Sequence, residues 1–181
     1  VDDVRLSYNL AVERGAHGVK GPTAHEDEHG VYETATIRAY GDTTHTFVNR
    51  DRYRGAFAPG FKAIDPARYS PATYHHTGLK AIDHIVGNVE EGKMDEWIDF
   101  YRKVLGFEQL VSFDDKDIST EYSALMSKVV QNGTGRVKFP INEPAKAKRR
   151  SQIEEYIDFY GGAGVQHIAL ATDDILGTVR A

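Results

Sequence analysis

A five-residue pattern that occurs twice constrains this chain more than its composition does. Ile82, Asp83, His84, Ile85, Val86 returns as Val165, Gln166, His167, Ile168, Ala169, each time with a histidine near the start of an apolar run that precedes a helical stretch. A second echo links Asp2, Asp3, Val4 near the beginning to Asp173, Asp174, Ile175 near the end. Echoes of this kind imply that one supersecondary unit is used more than once, with a histidine on equivalent strands.

The rest of the pattern is consistent with such a unit. Val4, Tyr8 and Val12 recur at helical spacing over residues 1–15, with Gly15 as the stop. After a turn at Asp27, Glu28, His29 and Gly30, the runs Val31 to Tyr40 and Thr43 to Asn49 read as a β-hairpin. Pro59, Gly60, Pro66 and Pro71 then break all periodicity, and residues 50–78 read as a linker. From Leu79 the pattern becomes denser. A strand is expected at Lys80 to Val89, and a helix at Met94 to Leu105 with Trp97, Tyr101, Val104 and Leu105 on one face and Gly106 closing it. Strands follow at Glu108 to Phe113, Tyr122 to Val130 and Arg136 to Ile141, the last two joined by a turn at Asn132 and Gly133. This makes one β-α-β-β-β unit in an α+β chain. A helix at Ser151 to Tyr160, a strand at Val165 to Ala171 and a helix opened by Asp173 and Asp174 start the unit again. Residues 1–49 read as the later part of one domain and residues 79–181 as the first part of another, each incomplete.

Composition narrows the chemistry. The 181 residues contain no cysteine, which removes disulfides, thiolate zinc sites and thiol nucleophiles and leaves histidine and carboxylates as metal ligands. A net charge of −5 and the lack of a long basic run argue against a nucleic-acid binder. The short cluster Lys146, Lys148, Arg149 and Arg150 reads as a solvated helix start beside Glu154 and Glu155. No apolar run approaches the roughly 18 residues of a membrane span, and the start lacks a signal-peptide pattern, so a cytoplasmic location is expected.

Alternate strand residues share a face, so His84 and His167 on equivalent strands can converge on one metal, and a carboxylate would complete a facial triad with open positions for iron(II). The other reading is two hydrogen-bonded core histidines. Of the remaining histidines, His17 and His25 fall in loops, His29 in a turn, and His75 and His76 in the linker; all five read as surface residues, and His45 reads as a structural strand residue. Ser123, Asn142, Gln152 and Gln166 are polar residues that a buried site could use for a ligand, or that turns, caps and backbone partners could satisfy.

Asp83, His84, Ile85, Val86, Gly87, Asn88, Val89 resembles the first ligand segment of the 4-hydroxyphenylpyruvate dioxygenase family. Pro140, Ile141, Asn142, Glu143, Pro144, followed by Lys148, Ser151, Gln152, Ile153 and then Gly162, Ala163, Gly164, Val165, Gln166, His167, is similar to that family's most recognisable stretch. The resemblance runs over essentially the whole chain, more weakly before residue 79, and its wording is closest to the actinobacterial branch. It implies a vicinal oxygen chelate fold of paired β-α-β-β-β units, glyoxalase- and dioxygenase-like, truncated here at both ends, with iron in the later domain only. It implies Fe(II) as cofactor, His84 and His167 as two of its ligands, Gln166 and Asn142 as residues acting on substrate, and Ser123, Pro140 and Gln152 lining the pocket with them. The substrates it implies are 4-hydroxyphenylpyruvate and O2, the products homogentisate and CO2 in tyrosine catabolism, and the intact enzyme a homo-oligomer. The family's third ligand is a glutamate that would lie past Ala181, and neither Asp173 nor Asp174 replaces it, since both suit a helix start. These 181 residues alone are therefore expected to be inactive.

Three other readings stay open at this level. 4-Hydroxymandelate synthase resembles the family in fold and ligands but forms a different product, and the Pro140 and Asn142 pair looks more like the homogentisate-forming enzyme. A metal-free binding module of the same fold would be indifferent to iron. A glyoxalase-like enzyme would complete its metal site across a dimer.

Overall fold

The computed structural model describes residues 1–65, 77–113, 125–145 and 150–181. Two sheets organise these residues: a three-stranded antiparallel sheet from the first part of the chain, and a five-stranded mixed sheet from the remainder.

The first helix, α1 (Val4–Glu13), starts where the Asp3 carboxylate accepts the Leu6 N–H at 2.8 Å. It buries Val4 and Ala11 and packs Tyr8 against the core, whereas Val12 is exposed, so the expected stripe holds at Val4 and Tyr8 and passes to Ala11 in place of Val12. Then come β1 (Gly18–Asp27), β2 (Gly30–Arg38) and β3 (Thr44–Asn49), in spatial order β1-β2-β3. The β2–β3 hairpin is the expected one. Strand β1 corrects the expectation for His25, which lies on a strand and not in a loop. Its sequence hides it: an edge strand with one exposed face needs no apolar alternation, and Gly21 and Pro22 fall at a register shift between Lys20 and Thr23. Beyond β3, Tyr53 is buried and bridges back to Gly30, so the start of the 50–78 stretch packs against this sheet.

The second sheet contains β4 (Leu79–Asn88), β5 (Glu108–Phe113), β6 (Leu125–Gln131), β7 (Lys138–Pro144) and β8 (Gly164–Thr172), ordered β5-β6-β7-β4-β8. Strand β7 begins two residues later than expected because the turn after Asn132 is longer: Asn132 Oδ1 accepts the Val137 N–H at 3.1 Å. Helix α2 (Met94–Leu105) has the expected bounds and ends at Gly106, which adopts φ +69°. Its Ile98, Tyr101 and Met94 pack with Val130 and Ile141 from the sheet, with Val89 just after β4, and with Ala39 and Tyr40 from the first segment, so one core joins both parts. Helix α3 (Gln152–Tyr160) opens with a capping box between Ser151 and Glu154, and α4 (Ile175–Arg180) with Asp174 accepting the Gly177 N–H at 2.9 Å. The two aspartates of the second sequence echo, Asp3 and Asp174, thus perform the same capping task. Among the described residues no helix is long and apolar enough to cross a membrane.

Helix α2 has no cap of its own, since Lys93 offers none. Instead the buried Glu143 of β7 accepts the Met94 N–H at 3.0 Å, placing a carboxylate at the positive end of the helix from 49 residues away. Glu143→Ala is expected to cost about 1–2 kcal/mol of stability, and Glu143→Gln, which keeps an acceptor, clearly less. Urea unfolding that finds Glu143→Ala within a few tenths of a kcal/mol of the parent would reject this role.

Candidate metal centre

Strand β7 carries two prolines although it lies inside the sheet. Pro140 has no N–H to donate, and the parallel ladder between β7 and β4 comprises only Gly87 opposite Ile141 and Asn88 opposite Asn142, starting directly after it. Residues 79–86 of β4 therefore pair with β8 alone, and β4 and β7 part at the level of His84.

Strands β4 and β8 run antiparallel, with His84 opposite Ala169 and Val86 opposite His167. Directly opposed residues share a face, and so do residues two apart, so the two histidines are diagonal neighbours on one face. Their ring centroids lie 5.8 Å apart with planes at 71°. The same face continues along β4 to Asn88 and across the sheet to Asn142 and Ser127, which is opposite Asn142 on β6. It is the face away from α2, because Ile141, the residue before Asn142, belongs to the core under that helix. Ser127, Asn88 and Asn142 are buried, His84 is half-buried and His167 is exposed, so the site shades from a closed polar row to an open edge.

Hydrogen bonds decide which ring nitrogens are available. His84 Nδ1 meets Asp83 Oδ2 at 2.7 Å, and the other oxygen of Asp83 accepts from Lys138 Nζ at 2.9 Å. These two contacts, His84 first, hold the Asp83 carboxyl below the usual carboxylate range, where it only accepts. In the neutral ring this contact puts the His84 proton on Nδ1 and leaves the Nε2 lone pair for a ligand. His167 Nδ1 is engaged in the same way by Gln166 Oε1. The arrangement suits a metal held by two Nε2 atoms, and no third histidine or carboxylate joins the pair among the described residues.

The other expected site residues divide into three groups. Asn142 donates from Nδ2 to Asn88 Oδ1 at 3.4 Å, while Asn88 Nδ2 is buried without a partner among the described residues. Pro140 is half-buried two residues earlier on the same face. Gln152 occupies the first position of α3 and is exposed. Ser123 lies outside the described residues, as do His75 and His76 and, of the basic cluster, Lys146, Lys148 and Arg149. Asn88 and Ser127 are further polar residues of this face; the sign was available in Asn88, an amide that ends β4 directly after Ile85, Val86 and Gly87.

His45, read as structural, is structural. Its Nε2 is 2.8 Å from the hydroxyl of the buried Tyr101, its ring packs on Phe139, and burial pushes its pKa down to about 4. It borders an apolar recess of about 620 Å³ between the first sheet and α2, formed with Phe47, Leu105 and Phe107 and well apart from the histidine pair.

A profile described as the Glyoxalase/Bleomycin resistance protein/Dioxygenase superfamily matches residues 81–181. The chain belongs to that superfamily. Over 99% of its length it is 51% identical to 4-hydroxyphenylpyruvate dioxygenase of Dictyostelium discoideum, of which it covers 49%, and over 99% it is 49% identical to the protein of that name from Coccidioides posadasii, of which it covers 45%. Among solved structures it is similar to a mutant of 4-hydroxymandelate synthase from Streptomyces coelicolor, with a TM-score of 0.79 and 29% identity over 99% of this chain and 49% of that one. The chain thus spans about half the length of the curated relatives it matches. Within the matched residues, His84 lies on β4 and His167 on β8, two strands that pair in one sheet.

Proposed function

We propose that this chain supplies two of the three protein ligands of a mononuclear iron(II) site, His84 and His167, in a dioxygenase that converts 4-hydroxyphenylpyruvate and O2 to homogentisate and CO2. The observation that carries this reading is the convergence of the two histidines on one sheet face, each with Nδ1 already occupied. A carboxylate from sequence outside residues 1–181 would be the third ligand. When bound, iron(II) supplies adjacent coordination positions at which a 2-oxo acid and O2 can meet.

The chain's own residues prepare the place for the substrate. Asn142, oriented by Asn88, presents its remaining amide groups along the face that leads to the histidines. Gln166 sits beside His167, and Pro140 forms part of the wall where β4 and β7 part. Ser123 and Gln152 complete the proposed lining. The buried end of the row excludes water, which strengthens each polar contact made there. Ile82, Val165, Ile168 and Leu170 are exposed on the same two strands; we take them to be covered by the further sequence that the longer relatives possess. Within this proposal residues 1–49 end a first domain, residues 50–78 link it to the iron-binding domain begun by residues 79–181, and the whole enzyme is a cytoplasmic homo-oligomer.

The test is a chimera in which residues 1–181 replace the matching stretch of the Dictyostelium relative. Mass spectrometry should find homogentisate from 4-hydroxyphenylpyruvate, and the 181 residues alone should give none. 4-Hydroxymandelate as the product would favour the synthase reading, and a folded chimera that binds iron but consumes no O2 would overturn the dioxygenase.

A further inference from the structure

The residue before a strand histidine ordinarily points to the opposite face, so it should be unable to reach that histidine's ring. Here it does so twice, and the backbone shows how. In the β4–β8 ladder the pairing passes from Ile82 opposite Leu170 to His84 opposite Ala169, leaving Asp83 as an extra residue on β4. It passes again from Val86 opposite His167 to Gly87 opposite Val165, leaving Gln166 as an extra residue on β8. Each histidine of the pair therefore follows a β-bulge. A bulge turns its extra residue out of the strict alternation and re-aims its side chain. The result is that Asp83 Oδ2 lies 2.7 Å from His84 Nδ1, and Gln166 Oε1 meets His167 Nδ1.

The two supports are not equal. Gln166 brings a neutral amide oxygen, whereas Asp83 brings a carboxylate whose second oxygen is tied 2.9 Å away to Lys138 on β7, across the gap where β4 and β7 part. Lys138 is the residue from which β7 sets out, and its side chain is three-quarters buried. The chain Lys138, Asp83, His84 thus spans the gap beside the site and leaves one nitrogen of His84 free.

We propose that Asp83, anchored by Lys138, is a positioning residue that fixes His84 as the tautomer with the proton on Nδ1 and presents Nε2 as a preformed ligand, a task that Gln166 performs more weakly for His167. The inference rests on the metal reading of the histidine pair only in its purpose; the hold on the tautomer can be measured without metal.

The experiment is two-dimensional NMR of the 181-residue chain with 15N-labelled histidine at pH 8, where imidazoles are ordinarily neutral. His84 is assigned by the signal lost in His84→Gln. In the parent chain the His84 proton is expected on Nδ1. In Asp83→Ala the Nε2-protonated form should become the major species, while Asp83→Asn, which retains an acceptor oxygen like that of Gln166, should keep most of the Nδ1 form. Binding of Co(II) should weaken roughly 10- to 100-fold in Asp83→Ala and by a smaller factor in Lys138→Met. A parent chain with the proton on Nε2, or a tautomer unchanged in a folded Asp83→Ala chain, would overturn the inference, because a merely structural Asp83–Lys138 ion pair would alter stability and leave the ring unaffected. Should the tautomers behave as stated while Co(II) fails to bind the parent chain, Asp83 keeps its role and it is the metal reading that falls.

Discussion

Replacement of His167 by alanine is expected to reduce the affinity of the chain for Co(II), a spectroscopic stand-in for iron(II), by more than about 100-fold, with His84→Ala equivalent. Loss of a partner one shell removed from a metal already costs roughly 10- to 100-fold in comparable sites, and a lost ligand costs more. The effect should be confined to binding. His167 is exposed and His84 half-buried, so neither truncation opens a cavity, and the strand pairing is made by backbone groups. The His29→Ala chain, altered in the turn between β1 and β2, provides the comparison and should bind as the parent does. Visible absorption titrations would settle the matter; equal affinities in the parent and His167→Ala chains would remove His167 from the site.

The second large effect is on stability, and its sign follows from His45. Folded, this ring is neutral and its pKa is pushed down to about 4 by burial, while in the unfolded chain it returns to about 6.5. Between those values the unfolded state binds a proton that the folded state does not, so stability falls as the pH falls. The contribution is complete above about pH 6.5, is lost progressively below it, and amounts to about 3 kcal/mol once the pH has passed the folded value. The physical cost is that of placing a cation against Phe139 and the Tyr101 hydroxyl in the seam that joins the first sheet to α2. Urea unfolding of the parent and His45→Gln chains at pH 7.5 and pH 4.5 isolates this contribution, since carboxylates titrate in both. The parent should lose about 2.5 kcal/mol more than the variant over that interval; parallel losses would show that His45 does not report on the seam.

The most recognisable stretch of the sequence gains a physical reading from the fold. In Pro140, Ile141, Asn142, Glu143, Pro144, successive residues do different jobs. Pro140 ends the β4–β7 ladder and opens the gap beside the histidines, Ile141 enters the core under α2, Asn142 faces the site, and Glu143 caps α2. A strand alternates faces, so one short segment can serve a core, a site and a distant helix end together. Gly87, between the histidine and the buried amide on β4, has a similar reason: a Cβ there would sit 2.2 Å from the Tyr40 hydroxyl.

What the sequence determined by itself was local or repeated. Helix α2 was legible because its apolar face, its acidic first turn and Gly106 all agree, and the β-α-β-β-β unit followed from period and turn chemistry. His84 and His167 were legible as a pair because similar pentapeptides surround them, each with the histidine followed by isoleucine. Strand β1 was not, since an edge strand crossed by Pro22 draws its hydrogen bonds from β2 and leaves no pattern of its own. Nor was the capping of α2 by Glu143, a contact between elements far apart in the chain. Only the tertiary structure decided that the two histidines meet, through an antiparallel pairing of β4 with β8 whose register is broken by bulges. Register and bulges are properties of two strands together, fixed by which faces are buried and where the ladder is interrupted, and neither strand carries that information alone.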